Sequence, residues 1–470
     1  MTLASLRRPA PATPYERLVV AGTLGAAALV GAAIAFSPPA GLALLVAAVC
    51  VPLVLADPPV GIALWVVAAF LTRFAPLAPL AGTVLIAVTA LGGWRREHLR
   101  RDAHGPLLAV VGGLLAWLTL SLAWAQDPSR GIHALPDWYR TGVALVAIAI
   151  VVRTPRDVRV VLYGFLVGAV LSVLVGVVHD GVGGGGGASG AAAVNDSAAA
   201  LSQGRLVGGV GDPNFLAAGI VAALAATPAL AAVAGPVRRA LIAPAVGLLV
   251  AGLGATQSRG GLVAAVVALL AATVFMPGRR GKVALAALAA VVFAAAYFAV
   301  FPAALERVTA STPEGNGRTE LWRVAWRMSE DHPLLGVGLA NFRTRAPGYV
   351  YEPGTLRYAD LIADRPHAAH NTVLESLAET GVVGVTLFLG AVVTGLVSAA
   401  AAARRLRRQG RRQLAVLAES VLVASVAMFT ASLFVSSGPE PKPWVLLSLG
   451  VAMLSIARSG EPRDAAARRR

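Results

Sequence analysis

The chain has 470 residues, 57% of them hydrophobic and 14% charged, with a mean hydropathy of +0.72. Soluble domains carry about 25% charged residues, so a soluble fold is excluded. Continuous apolar runs such as LAVVGGLLAWLTLSLAWA exclude the alternating strands of a membrane barrel and leave a polytopic helical bundle. The net charge of +16 reads as topology, since arginine clusters hold loops on the cytoplasmic side. No basic patch is interleaved with aromatics in the way a nucleic-acid partner requires. The single cysteine, Cys50, excludes a disulfide framework and a structural zinc.

In chain order, Arg7, Arg8 and Arg17 precede the first apolar span and suit a signal anchor better than a cleaved leader. Spans then recur at 18–36, 41–56, 59–73, 76–94, 106–125, 138–152, 158–178, 212–233, 239–256, 260–276, 283–301, 372–402, 413–436 and 442–457. The third is short for a membrane core of roughly 30 Å, so the expectation is an all-α integral membrane protein of about 12–14 transmembrane helices. WRREHLRR (94–101), RTPRDVR (153–159), PVRR (236–239), GRRGK (278–282) and ARRLRRQGRR (403–412) fall on one side of such a bundle, together with both termini. The positive-inside rule makes that side cytoplasmic.

Three stretches remain on the outer face: AQDPSRGIHALPDWYR (125–140), a Gly/Ser/Ala-rich segment at 179–211, and the large loop 302–371. The second has too little apolar surface to fold alone and reads as flexible. The third carries a helical pattern at 317–330, with Leu321, Val324, Ala325 and Met328 as its apolar stripe. This partly helical loop is expected to cover the outer mouth of the bundle. The organisation that follows is an N-terminal membrane region (1–200), a second membrane region with the outer loop (201–458), and a basic tail (459–470).

Chemistry-bearing residues gather at the boundaries of these spans. In HAAHNTVLESLAETGVVG (367–384), His370 is placed as a general base, because neutral imidazole accepts a hydroxyl proton near neutral pH. The competing reading is an interfacial histidine that only hydrogen-bonds. His367 adds an H-x-x-H spacing near Glu375, which by itself does not establish a metal site. Asn371 suits an N-cap, and Asn371, Glu375 and Glu379 share one helical face. Gly381 and Gly384 suit close helix packing. Arg205, Arg259 and Arg318 lie at outer boundaries, where arginine suits phosphate and diphosphate groups. Arg259 stands in a very short outer loop, on the side that should be poor in positive charge; ion pairing or snorkelling is its plainer explanation. In GDPNFLAAG (211–219), either Asp212 or Asn214 suits a helix cap or a substrate contact.

GRLVGGVGDPNF (204–215), QSRGG (257–261), GRTELWRVAWRMSEDHPLLGVGLANF (317–342) and HNTVLESLAETGVVG (370–384), in that order, resemble the bacterial O-antigen ligase and polymerase superfamily. His370, Asn371, Gly381 and Gly384 keep that family's spacing, while the first 200 residues match only in general character. The resemblance implies an outer-face glycosyltransferase of the cytoplasmic membrane that needs no cofactor and no metal. The donor it implies is a glycan on a polyprenyl diphosphate; the acceptor is a glycan, lipid or protein. By the same resemblance His370 is the base, and Arg205, Arg259 and Arg318 hold the diphosphate, with His367, Asn371, Glu375, Asp212 and Asn214 as supporting candidates. Ligase and polymerase remain open as branches. A transporter would need ionisable groups near mid-membrane or paired broken helices, and Glu419, near the cytoplasmic end, is one of the few such groups in the spans.

Overall fold

The computed structural model describes residues 50–74, 82–83, 87, 90, 101–180, 204–300, 313–350 and 368–459. The expected first span, most of the second and fourth, the glycine-rich stretch 181–203, His367 and the basic tail lie outside these residues. The described elements are helices α1 (Pro58–Ala69), α2 (Arg101–Leu120), α3 (Pro128–Val151), α4 (Pro155–Asp180), α5 (Pro213–Val233), α6 (Pro236–Thr256), α7 (Arg259–Phe275), α8 (Arg280–Val300), α9 (Pro313–Asp331), α10 (Phe342–Val350), α11 (Thr372–Arg408), α12 (Arg412–Ser432) and α13 (Pro441–Ser459). No strand occurs among the described residues.

The helix starts follow local chemistry. Proline opens many of them, where its missing N–H costs nothing. Asp127, Asp212, Ser258 and Asn371 then cap α3, α5, α7 and α11, each accepting from backbone N–H groups of the first turn. Asp212 therefore takes the capping role that had been open between it and Asn214.

By length and composition, seven of the described helices can cross a membrane. An eighth span results if Arg259–Phe275 and Pro277–Leu285, bent by 107° to each other, are taken together. The third expected crossing is only the 12-residue α1, which at ~1.5 Å per residue falls short of the hydrocarbon thickness. One core cluster runs from Ile62 to Ala457, built largely of alanine, leucine and valine. Without water between helices, association rests on close packing, and small residues permit it. A Cβ on Gly395 of α11 would lie 2.7 Å from Leu447 of α13, and one on Gly450 would lie 2.6 Å from the Gly395 carbonyl.

Loop contacts sort into two ends. At one, Arg156 pairs with Asp57 (2.5 Å). At this end also, Arg407 reaches both the Phe275 carbonyl and Glu419 (each 3.2 Å), and Gln409 donates to the Ala457 carbonyl. These are the arginine-rich connections. At the other end lie residues 70–74, 121–127, 204–214, 256–258, 332–342, 368–372 and 434–441, joined by the hydrogen bonds described next.

The expected helix 372–402 is not continuous. Gly381 has φ 65° and ψ −171° inside α11, so the carbonyls before it lose partners across the break. Each finds another. The Ala378 carbonyl accepts from Val337 N–H (2.9 Å), that of Glu379 from Gly338 N–H (2.8 Å), and that of Thr380 from Trp117 Nε1 (2.9 Å). Val382 N–H donates to the Pro333 carbonyl (2.8 Å). This corrects the packing role expected for Gly381: it breaks the helix, and the GVGLANF segment (336–342) repairs the break. Gly384 keeps its expected role, since a Cβ there would meet Trp117 of α2 at 3.0 Å. The stretch from Val382 to Arg408 still suffices to span a bilayer, at ~1.5 Å per residue.

Candidate active site

The site end is built from irregular backbone held inside the protein, the setting in which non-helical chain is tolerated at membrane depth. Leu206, Val207, Gly208 and Gly209 are buried. Gly209 N–H donates to Ser172 Oγ (2.9 Å), while its carbonyl accepts from Arg73 N–H (2.9 Å). Leu206 N–H donates to the Ala255 carbonyl at the end of α6 (2.9 Å). These bonds seat the GRLVGGVGDPN loop between α4 and α6.

Arg205, half-buried, donates through Nε to the Thr256 carbonyl (3.0 Å) and through a terminal nitrogen to Asn214 Oδ1 (3.3 Å). The same Asn214 oxygen accepts from Ser258 Oγ (2.8 Å). Asn214 is thus the tie between the Arg205 loop and the turn that presents Arg259. Gln257 makes that turn in the left-handed region, with φ 50°. A Cβ on Gly260 would lie 2.6 Å from Phe434 Cβ, so the QSRGG turn packs directly under Phe434. On its other side Phe434 meets the Trp322 ring, with centroids 6.5 Å apart. Trp322 stands one helical turn after Arg318 on α9.

His370 lies on the connection into α11, half-buried, with φ 50°. A left-handed conformation costs a non-glycine residue about 1–2 kcal/mol, so its surroundings must hold it there. Its backbone N–H donates to Ser436 Oγ (3.1 Å). Ser436 in turn donates to Glu375 Oε2, and that oxygen also accepts from Ala369 N–H (3.1 Å). Thr372 Oγ1 donates to the Val435 carbonyl (2.7 Å) and accepts from Ser437 N–H (2.9 Å). The 434–437 segment is therefore stitched to the start of α11 on both sides of Asn371. Glu375 is thus linked to the His370 backbone through Ser436. Glu379 is a clamp on the repair segment instead, accepting from Phe342 N–H (3.1 Å) and from Ala340 N–H. The Arg343 charge acts on both carboxylates.

A chain of contacts thus joins the segments that carry all four principal candidates. It runs from Arg205 through Asn214 and Ser258 to the Arg259 turn, from Gly260 to Phe434 and Trp322 near Arg318, and from Phe434 along the backbone to Ser436 and His370. The stripe expected on the outer loop is also present: Leu321, Val324, Ala325 and Met328 are buried and pack with Phe342, Ala369 and Ala378. Among the described residues no three His, Cys, Asp or Glu side chains are grouped as ligands of a metal ion would be.

Two residues escaped the reading of the sequence. Ser436 is simply the last residue of the expected span 413–436. Lys442 is almost wholly buried; its Nζ donates to the Ala69 carbonyl (2.8 Å), pairs with Glu440 (2.5 Å) and sits 4.9 Å from the centre of the Phe70 ring. A lysine on the side expected to lack positive charge is the signal that singled out Arg259, and it applied equally here. Glu419 proves to be buried and paired with Arg407, consistent with a structural charge.

No curated protein matches the chain. A family model described as O-antigen ligase matches residues 244–389, which take in the QSRGG turn, α9, the GVGLANF segment and the first half of α11. The chain is therefore a multi-pass membrane protein whose residues 244–389 are similar to the O-antigen ligase family.

Proposed function

We propose that the protein transfers a glycan from a polyprenyl diphosphate carrier to an acceptor hydroxyl, at the outer face of the bacterial cytoplasmic membrane. His370 takes the acceptor proton as its oxygen attacks the anomeric carbon. The bond from that carbon to the diphosphate breaks, and polyprenyl diphosphate leaves with the electron pair. Arg205, Arg259 and Arg318 hold the diphosphate. Fixed guanidinium groups at a boundary poor in water stabilise the charge that grows on the leaving group, and the amino-terminal end of α11 adds its positive dipole. Both termini are then cytoplasmic, with the arginine-rich end of the bundle facing inward.

The observation that carries this reading is the contact chain that links the Arg205, Arg259 and Arg318 segments to His370, with Arg259, Arg318 and His370 inside the family-matched stretch. General-base catalysis contributes about 10²–10⁴-fold. His370→Ala should therefore lower transfer by at least ~100-fold in purified protein supplied with lipid-linked glycan, with membrane insertion unchanged. Wild-type turnover in that variant would refute the assignment. In a deletion strain, long carrier-linked chains mark a ligase, and single carrier-linked repeat units mark a polymerase.

A further inference from the structure

The outward face of α9 carries a second feature that the transfer chemistry does not use. Thr319, Trp322, Arg323, Trp326, Arg327 and Glu330 line a wide-open groove of ≈ 910 Å³, open solvent included. The opposite face of the same helix is the buried Leu321–Met328 stripe, so this face is turned away from the core. Trp326 is 54% exposed, a large apolar surface to leave in water. Its ring is not loose, because Nε1 donates to Glu330 Oε1 (2.7 Å). Arg323, held by both Glu320 oxygens (3.1 and 3.2 Å), stands beside it. Trp322 Nε1 is buried and has no hydrogen-bond acceptor among the described residues.

We propose that this face binds the glycan of the lipid-linked donor, with Trp322 and Trp326 as successive stacking platforms. The inference rests on the reading of Arg318 as a diphosphate ligand. Arg318, Trp322 and Trp326 are spaced i, i+4 and i+8, so they climb one helical face in steps of ~6 Å, about the advance of one sugar residue. A glycan leaving a diphosphate held at Arg318 meets Trp322 first and Trp326 next. The chemistry suits a sugar: flat aromatic faces for its C–H surfaces, with guanidinium and carboxylate groups for its hydroxyls. Continuity favours this occupant, since Trp322 packs on Phe434, two residues from the Ser436 that holds His370. A membrane surface is the competing occupant, but the Glu330 carboxylate that lines the groove beside Trp326 fits it less well.

The test uses full-length protein in nanodiscs and donors extracted from host membranes, sorted by glycan length. Trp326→Ala should raise KM for donors with several sugars ~3- to 10-fold, leave kcat unchanged and leave single-sugar donors unaffected. Trp326→Phe should restore most of the loss. Free oligosaccharide released from the same carrier should perturb tryptophan fluorescence in wild type more than in Trp326→Ala. Equal KM values at every length, or quenching of Trp326 by brominated lipids with no response to oligosaccharide, would overturn the proposal. His370→Ala is run alongside: if it turns over like wild type, the transfer reading itself fails, whereas a length-independent Trp326→Ala with an inactive His370→Ala sinks only the glycan platform.

Discussion

The two ends of the bundle solve opposite problems. The arginine-rich end is regular: its helices stop at short connections, joined by ion pairs such as Arg156–Asp57 and Arg407–Glu419. Among the described residues, Gly410 is its only position of positive φ. The other end holds, among the described residues, every non-glycine residue of positive φ (Gln257, Ala340 and His370), and with them six such glycines. Backbone strain of this kind concentrates where a site must be presented in one geometry. The arginine-rich end ties helix ends together with little backbone strain, while the strained end is where the fold expends stability to place side chains.

Three substitutions would break or sharpen that contrast. The largest effect is expected at Gly381. Its φ of 65° disfavours any side chain, and a Cβ would lie 2.2 Å from the Leu334 carbonyl oxygen. Gly381→Ala should cost about 3 kcal/mol or more, read as a lowered unfolding midpoint in detergent, and transfer should fall with it. Arg407→Ala should come next. It removes the partner of the buried Glu419, at 3.2 Å, and should cost about 2 kcal/mol while specific transfer by the folded fraction stays within about twofold. If transfer collapsed in that variant, the two ends would not be separable. The smallest effect belongs to Ser436→Ala, which takes away the acceptor of the His370 N–H and the donor to Glu375. Transfer should drop roughly tenfold, with a smaller midpoint shift than in Gly381→Ala. An unchanged rate would show that His370 holds its conformation without Ser436.

Lys442 extends the comparison. Buried charges persist only when paired and hydrogen-bonded, and this one links α13 to the end of α1 through the Ala69 carbonyl and to its own loop through Glu440. Together with the 434–437 segment, it makes the α12–α13 connection the structural hub of the site end. Nothing in the family-matched stretch 244–389 contains that connection.

Much of this was legible in the residues themselves. Apolar length dictates helices in a bilayer, since only internal hydrogen bonds satisfy the backbone there, and each span expected from residue 106 onward coincides with a described helix, although α3 begins at Pro128, within the stretch 125–140 expected as an outer loop. The cap at Asn371 and the stripe from Leu321 to Met328 depend on neighbours a turn away, so spacing alone exposed them, whereas the cap of α5 stayed open between Asp212 and Asn214. Spacing did not expose the break at Gly381, because a glycine in an apolar run has the same pattern whether it packs or kinks. What decides is the arrival of Val337, Gly338 and Trp117, from elsewhere in the chain, at the freed carbonyls. Likewise, the sequence singled out His370, Arg205, Arg259 and Arg318 by their positions beside expected spans. Only the tertiary structure decided that Asn214, Phe434 and Ser436 bind their segments into one cluster, because hydrogen bonds and ring contacts between distant segments leave no periodic trace along the chain.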